Sequence, residues 1–108
     1  MTDKELLELA AKAAGIELKT DSKNPYFVWW YHGMPKKKQW NPLTDDGDAL
    51  RLAVKLRIEL EFYDGFEEVF ATENTIEAIS QTEPYKNDPY AATRRAIVRA
   101  AAEIGRTL

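Results

Sequence analysis

The 108-residue chain contains no cysteine and only one histidine, His32. The lack of cysteine excludes disulfide frameworks, thiolate zinc sites, iron–sulfur clusters and cysteine nucleophiles. One histidine is too few for most transition-metal sites, and it makes a serine–histidine triad improbable. The five glycines are scattered along the chain and form no phosphate-binding loop. We therefore expect a protein that is not an enzyme and that carries neither a cofactor nor a metal.

Positive charge is also in the minority. Lysine and arginine total 15 against 18 aspartates and glutamates, for a formal net charge of -3. This balance argues against direct nucleic-acid binding and against binding to a membrane. No apolar run approaches the ~20 residues that span a bilayer, and the charged N-terminus lacks the apolar stretch of a signal peptide. With no cysteine, these features predict a protein of a bacterial cytoplasm.

What remains is the composition of one globular domain over residues 1–108, with 44% hydrophobic and 31% charged residues. Helical spacing predicts a first helix capped by Thr2 and stopped by Gly15. It also predicts a second helix after residues 44–46 and a third from Asp88 to Gly105. The expected inner faces of these helices include Leu50 and Val54 in the second and Tyr90 in the third.

Alternation of apolar and polar residues predicts strands over residues 26–31, 58–63 and 69–72. A further strand or irregular piece is expected over residues 75–80, followed by a polar connector around Pro84. The dipeptide at residues 64–65, Asp-Gly, signals a hairpin. Three helices and about four strands predict an α+β fold, in which helices pack on an at least partly antiparallel sheet.

Two stretches carry a resemblance to a known family. They are WNPLTDDGDALRLAVKL at residues 40–56 and NDPYAATRRAIVRAAAEIG at residues 87–105. Together with residues 1–15 they resemble the phage ABA sandwich domain family, a group of small bacteriophage and prophage proteins. The resemblance covers nearly the whole chain. It implies a three-layer α/β/α sandwich of phage origin and little about activity. Residues 32–39 depart from the family pattern and look like an added or altered loop.

The main candidate for a working surface is acidic, because no lysine or arginine occurs between Glu59 and Glu77. Strand alternation places Glu59 and Glu61 on the face opposite Leu60. Such a surface suits a basic groove of another protein, although a solubilising face is the more common explanation. The candidate partner-binding residues are Glu59, Glu61, Asp64, Glu67, Glu68 and Glu73.

Together with the phage resemblance, this surface predicts a non-enzymatic interaction protein that binds and blocks a host protein. The expected partner is a defence component that handles nucleic acid, which would make the chain an anti-CRISPR-like inhibitor in the host bacterial cytoplasm.

The alternative hypothesis is a small-ligand or single-stranded nucleic-acid binder that uses residues 26–40 and the arginines of the last helix. Aromatic stacking beside positive charge is how single strands are bound. Strand alternation, however, also allows these aromatic residues to be core. Because matching arginines belong to the motif of the family that the chain resembles, pairing with carboxylates of the same domain is an equal alternative for them. The candidate ligand-binding residues are Trp30, Lys36, Lys37, Lys38, Trp40, Arg95 and Arg99, beside Arg94 and Arg106.

Three aspartates at the start of the second helix, Asp45, Asp46 and Asp48, offer the oxygen ligands that Ca²⁺ and Mg²⁺ prefer. Their spacing lacks the 12-residue loop and the distal glutamate of a calcium site. N-capping and compensation of the helix dipole account for the same residues. We therefore predict a structural role for them and no bound cation.

Overall fold

A computed structural model describes the backbone of residues 1–20, 29–31 and 39–108, and the side chains of residues 1–18 and 39–108. In chain order the elements are α1 (Asp3–Ala14), β1 (Leu18–Thr20), β2 (Trp29–Tyr31), α2 (Asp46–Leu56), β3 (Glu59–Tyr63), β4 (Glu68–Thr72), β5 (Ser80–Pro84) and α3 (Pro89–Arg106). Across these ranges no helix is both long and apolar enough to cross a bilayer.

The strands form two antiparallel groups. β1 pairs with β2, and β3, β4 and β5 form a three-stranded sheet with β4 in the centre. The predicted α+β class with three helices is confirmed. A fourth strand in the larger sheet is not seen in the described ranges. Residues 21–28, which include the first half of the predicted strand over residues 26–31, lie outside them.

The helix ends follow the capping chemistry predicted from the sequence. Thr2 Oγ1 accepts a hydrogen bond from the Glu5 backbone N–H at 3.2 Å, and Gly15 ends α1 with a φ of 69°. Asp45 is the N-cap of α2, where its carboxylate accepts from the Asp48 N–H at 2.8 Å. Asp88 is the N-cap of α3, and proline occupies the first turn. Local side-chain chemistry therefore sets where each helix starts.

The core is built around α3, which packs against α1, α2, β4 and β5. On the sheet, Val69 and Ala71 are completely buried beneath this helix. Trp40 is the largest buried side chain among the described residues, at 1% exposure. Most of the other buried residues are small, and ten of them are the alanines at positions 10, 11, 14, 49, 53, 92, 96, 100, 101 and 102. Small side chains allow the helices to approach closely.

Gly105 was predicted to end the last helix. It lies inside that helix. It is buried, and a Cβ built on it would overlap the carbonyl oxygen of Leu9 and lie 2.8 Å from the Leu9 carbonyl carbon. The backbones of α1 and α3 are therefore in direct contact at this point. A glycine is required here for space, since its φ is not positive.

Two predicted inner faces are wrong in part. Leu50 and Val54 of α2 are 62% and 55% exposed, and Tyr90 at the start of α3 is 71% exposed. The buried apolar face of α2 consists of Ala49, Leu52 and Ala53. α2 packs mainly on α3, so its apolar stripe is wider than the surface that covers it.

Strand β5 begins at Ser80, where the strand or irregular piece expected over residues 75–80 was to end, and its last two residues lie in the expected polar connector. Residues 75–79 form the loop before it. Its sequence, SQTEP, has little intrinsic strand preference. Pairing with β4 places Glu83 opposite buried Val69, on the side of the sheet that faces α3. There the Glu83 carboxylate accepts from Arg99 Nη1 at 2.8 Å. Tertiary contacts therefore hold this edge strand, and its proline lies at its end.

The two faces of the three-stranded sheet differ in their environment. α3 covers the face of Val69 and Ala71, whereas Glu61, Tyr63 and Thr82 on the opposite face are exposed. The three-layer order implied by the family resemblance stays a prediction.

We expect Gly105→Ala to lower the free energy of unfolding by about 1–3 kcal/mol, the usual cost of overpacking a well-packed site. The added methyl group meets backbone atoms that no rotamer change can move, and this outweighs the gain of ~1 kcal/mol in helix propensity. Chemical denaturation would measure the change. Gly65→Ala is the matched control, because no atom lies within 4 Å of its Cβ position. A Gly105→Ala protein as stable as the parent would contradict the close contact.

Candidate functional site

Three of the predicted partner-binding glutamates lie on one exposed face of the sheet. In the strand register Glu59 is opposite Thr72, Glu61 is opposite Phe70, and Glu68 is opposite Tyr63. Glu61 and Glu68 are thus diagonal neighbours across the two strands, roughly 7–8 Å apart at the backbone. We call the surface formed by Glu59, Glu61, Tyr63, Glu68 and Phe70 the acidic sheet face.

An aromatic pair lies among these carboxylates. The ring centroids of Tyr63 and Phe70 are 4.9 Å apart at an interplanar angle of 57°. The Tyr63 hydroxyl donates to Glu61 Oε2 at 2.8 Å. This hydrogen bond and the negative charge of Glu61 raise the pKa of Tyr63 above its ordinary value of 10.0. The face therefore combines a flat aromatic surface with fixed negative charge.

Two further predicted acids, Asp64 and Glu67, lie in the hairpin loop beside this face. Asp64 Oδ1 accepts from the Tyr85 hydroxyl at 3.2 Å, and the Tyr85 N–H donates to the Glu67 carbonyl at 2.8 Å. Desolvation raises the pKa of Tyr85, and the hydrogen bond to Asp64 adds to the shift. Glu67 adopts a φ of 51°, which closes the four-residue loop. The loop extends the negative surface from the end of β3 to the start of β4.

These five carboxylates have no cationic partner among the described residues. Several acids elsewhere in the domain do, including Asp3, Asp46, Asp48 and Glu83. The charge of the acidic sheet face and its loop is therefore left for solvent or for another molecule.

The sixth predicted acid, Glu73, lies elsewhere. It is only 6% exposed, and its carboxylate accepts from Thr75 Oγ1 at 2.8 Å. A partner docking on the acidic sheet face would not reach it. Glu73 was grouped with the other acids because it lies in the run without lysine or arginine, whereas alternation along β4 places it on the buried side of Val69 and Ala71.

The arginines of α3 are all engaged with carboxylates of this chain. Arg94 Nη1 is 2.6 Å from Asp46, and its Nε donates to the Leu43 carbonyl at 2.9 Å. Arg95 and Arg99 converge on Glu83 at 3.5 and 2.8 Å. At the end of the helix, Arg106 Nη2 lies 2.6 Å from Glu103. Their positive charge is thus offset inside the domain, and none of the four extends freely as a phosphate ligand would.

Most of the aromatic and lysine-rich segment, including Lys36, Lys37 and Lys38, lies outside the described residues. The backbone of Trp30 lies in β2, opposite Lys19, and its side chain is not described. Trp40 is 1% exposed and belongs to the core. Its indole therefore offers no stacking face on the surface.

Each aspartate at the start of α2 has a protein partner. Asp45 caps the helix, and Asp46 pairs with Arg94. Asp48 is 3% exposed; its Oδ2 accepts from the Asn41 N–H at 2.9 Å, and its Oδ1 lies 2.7 Å from Arg51 Nη2. No group of three potential metal ligands occurs in the described ranges. Asp48 ties the segment before α2 to the helix.

Sequence reasoning missed an apolar groove of about 760 Å³ on the other side of β3. Its walls come from α2, β3 and the first half of α3, and a hollow of about 540 Å³ along Val54 and Ile58 shares Leu50 and Leu60 with it. Leu50, Phe62 and Tyr90 are exposed because they line this groove. In the sequence, the only hint of the groove was an apolar stripe of α2 that is wider than the buried face of the helix. The main lining residues are Ala49, Leu50, Leu60, Phe62, Tyr90 and Ile97.

Comparison with known proteins brings no match, whether to a family model, to a curated protein or to a solved structure. The resemblance to the phage ABA sandwich domain family stays a prediction from the sequence.

We expect Asp48→Ala to lower the free energy of unfolding by about 2 kcal/mol, because it leaves the buried Asn41 N–H without its acceptor. Asp46→Ala removes an exposed ion pair and should cost less than ~1 kcal/mol. Urea denaturation would compare the two. A stabilisation of the parent by Ca²⁺ or Mg²⁺ that Asp48→Ala abolishes would contradict the structural role.

Tyr63 should ionise above pH 10.0, and Glu61→Ala should move its pKa back toward that value. The raised pKa means that the folded state favours the neutral phenol. This contribution to stability is complete below the unfolded pKa of ~10 and is lost as the pH rises through the folded pKa. NMR titration of the tyrosine ring carbons would measure both values. An unchanged pKa in Glu61→Ala would show that the hydrogen bond does not form in solution.

Proposed function

We propose that this chain is a non-enzymatic interaction protein that binds a basic surface of a host protein through the acidic sheet face and blocks it. The observation that carries the proposal is the set of five carboxylates, on β3, β4 and their loop, without a cationic partner in the described structure. Phage origin, a three-layer sandwich and action in the host cytoplasm belong to the same proposal and are supported by the family resemblance.

The chemistry of the face suits a protein partner that carries lysines and arginines. Acidic residues facing a basic surface speed association and select against acidic molecules. The Tyr63–Phe70 pair adds an apolar contact of the kind that supplies binding energy at the centre of interfaces. A hydrogen-bonded sheet also loses little conformational freedom on binding, which lowers the cost of association.

A groove that normally holds nucleic acid displays cations along the path of the phosphates. A sheet that presents Glu59, Glu61 and Glu68 on one face competes for those cations without resembling nucleic acid in any other way. Occupation of the groove then blocks it by exclusion alone, and no catalytic group is required. Such a complex should weaken as salt screens the charges.

The test is affinity purification of the tagged protein from a bacterial host, with Glu61→Lys/Glu68→Lys as the variant. We expect the parent to capture a basic, nucleic-acid-handling protein in stoichiometric amount, and the variant to lose it. Glu5→Lys/Glu8→Lys is the matched control, since it makes the same change in net charge on exposed positions of α1. Mass spectrometry identifies the captured protein.

Three results would count against the proposal: no specific protein recovered, equal capture by the parent and the sheet-face variant, or equal loss in the control. Recovery of nucleic acid or of a small molecule in place of a protein would favour the alternative hypothesis.

A further inference from the structure

β3 is an edge strand within the described part of the chain. It pairs with β4 on one side, and no described strand pairs with its other side. The backbone of an edge strand presents N–H and C=O groups that a further extended segment can bond. Edge strands are commonly protected by charge, by proline or by a covering element. β3 contains no proline, and its sequence, ELEFY, includes two charged residues.

The two sides of this edge have opposite chemistry. Leu60 and Phe62 point toward the apolar groove, whereas Glu59 and Glu61 point to the acidic sheet face. Phe62 is 55% exposed, and Leu50 across the groove is 62% exposed. An extended segment laid beside β3 would therefore place alternate side chains in an apolar environment and in an acidic one.

We propose that the partner docks by strand addition: an extended segment with alternating apolar and Lys or Arg residues pairs with the edge of β3 that no described strand occupies. This inference rests on the proposed function and specifies how the partner is bound. Backbone hydrogen bonds to β3 supply affinity, the apolar side chains fill the groove over Ile97, and the basic side chains reach Glu59 and Glu61.

Charge selects this occupant over a second copy of the chain. Pairing of two β3 edges would bring Glu59 and Glu61 of both copies onto one face, where like charges on neighbouring strands destabilise the pairing. The groove itself adds no net positive charge, because Arg94 at its wall is paired with Asp46 and Asp64 adds a carboxylate. A strand that alternates apolar and basic residues is the complement of both surfaces.

The first test uses two peptides of one composition. Lys-Val-Lys-Val-Lys-Val-Lys alternates, and Val-Val-Val-Lys-Lys-Lys-Lys does not. We expect the alternating peptide, labelled for fluorescence anisotropy, to bind at least tenfold more tightly to the parent protein. Phe62→Ser should weaken it at least tenfold. Phe66→Ser is the matched control, since Phe66 is 77% exposed at the hairpin tip and outside the groove, and should change binding less than twofold.

The second test probes the backbone bonds. Two versions of the alternating peptide carry N-methyl groups either on all valines or on all lysines. The N–H groups of alternate residues point to the same edge of a strand, so methylation of one set should abolish binding and methylation of the other should preserve it.

Equal binding of the alternating and block peptides, or of both methylated peptides, would overturn strand addition while leaving the acidic sheet face as a binding surface. No binding of the alternating peptide would also overturn it. Binding in the expected order, together with failure to capture any host protein, would instead overturn the proposed function alone. Near-UV circular dichroism of Phe62→Ser separates lost binding from lost folding.

Discussion

The direct backbone contact between α1 and α3 is the constraint on which the rest of the domain depends. Gly105 leaves room for the Leu9 carbonyl group, and buried alanines follow Leu9 in α1 and precede Gly105 in α3. Close approach multiplies weak dispersion contacts between backbones, which individually contribute little. This explains why the core, over the described side chains, is rich in alanine and contains few large residues apart from Trp40. The alanine-rich composition of the core thus follows from the short distance between α1 and α3.

Because α3 packs against α1, α2 and the sheet at once, it positions both surfaces beside β3, the apolar groove and the acidic sheet face. It covers the face of β4 and β5 through Val69 and Ala71, and it holds the β5 edge through Arg99 and Glu83. β3 lies farther from this helix, so its apolar side chains are only partly covered. The two uncovered surfaces, the apolar groove and the acidic sheet face, thus meet at β3, the strand that the core covers least. Stability and recognition are located on different elements of the same sheet.

Features with a local cause were predictable from the sequence. The caps at Thr2 and Asp88 and the hairpin at residues 64–65 each depend on a few neighbouring residues. The role of Gly105, the exposure of Leu50 and the position of β5 were not predictable, because each depends on which element lies opposite. The acidic sheet face was predictable from strand alternation, but the groove was not: apolar periodicity does not reveal how much of a stripe another element covers.

The α1–α3 contact also has a consequence for synthesis on the ribosome. Leu9 and Gly105 are 96 residues apart, as are Lys12 Nζ and the Leu108 carbonyl that it bonds. The meander from β3 to β5 contains only neighbouring strands and can pair as soon as it emerges. α1 is synthesised before the other described elements, whereas α3, the helix against which it packs, is synthesised after them. The caps at Thr2 and Gly15 favour the helix locally, but a helix of 12 residues is marginal in water on its own, so α1 gains most of its stability only once α3 has been synthesised.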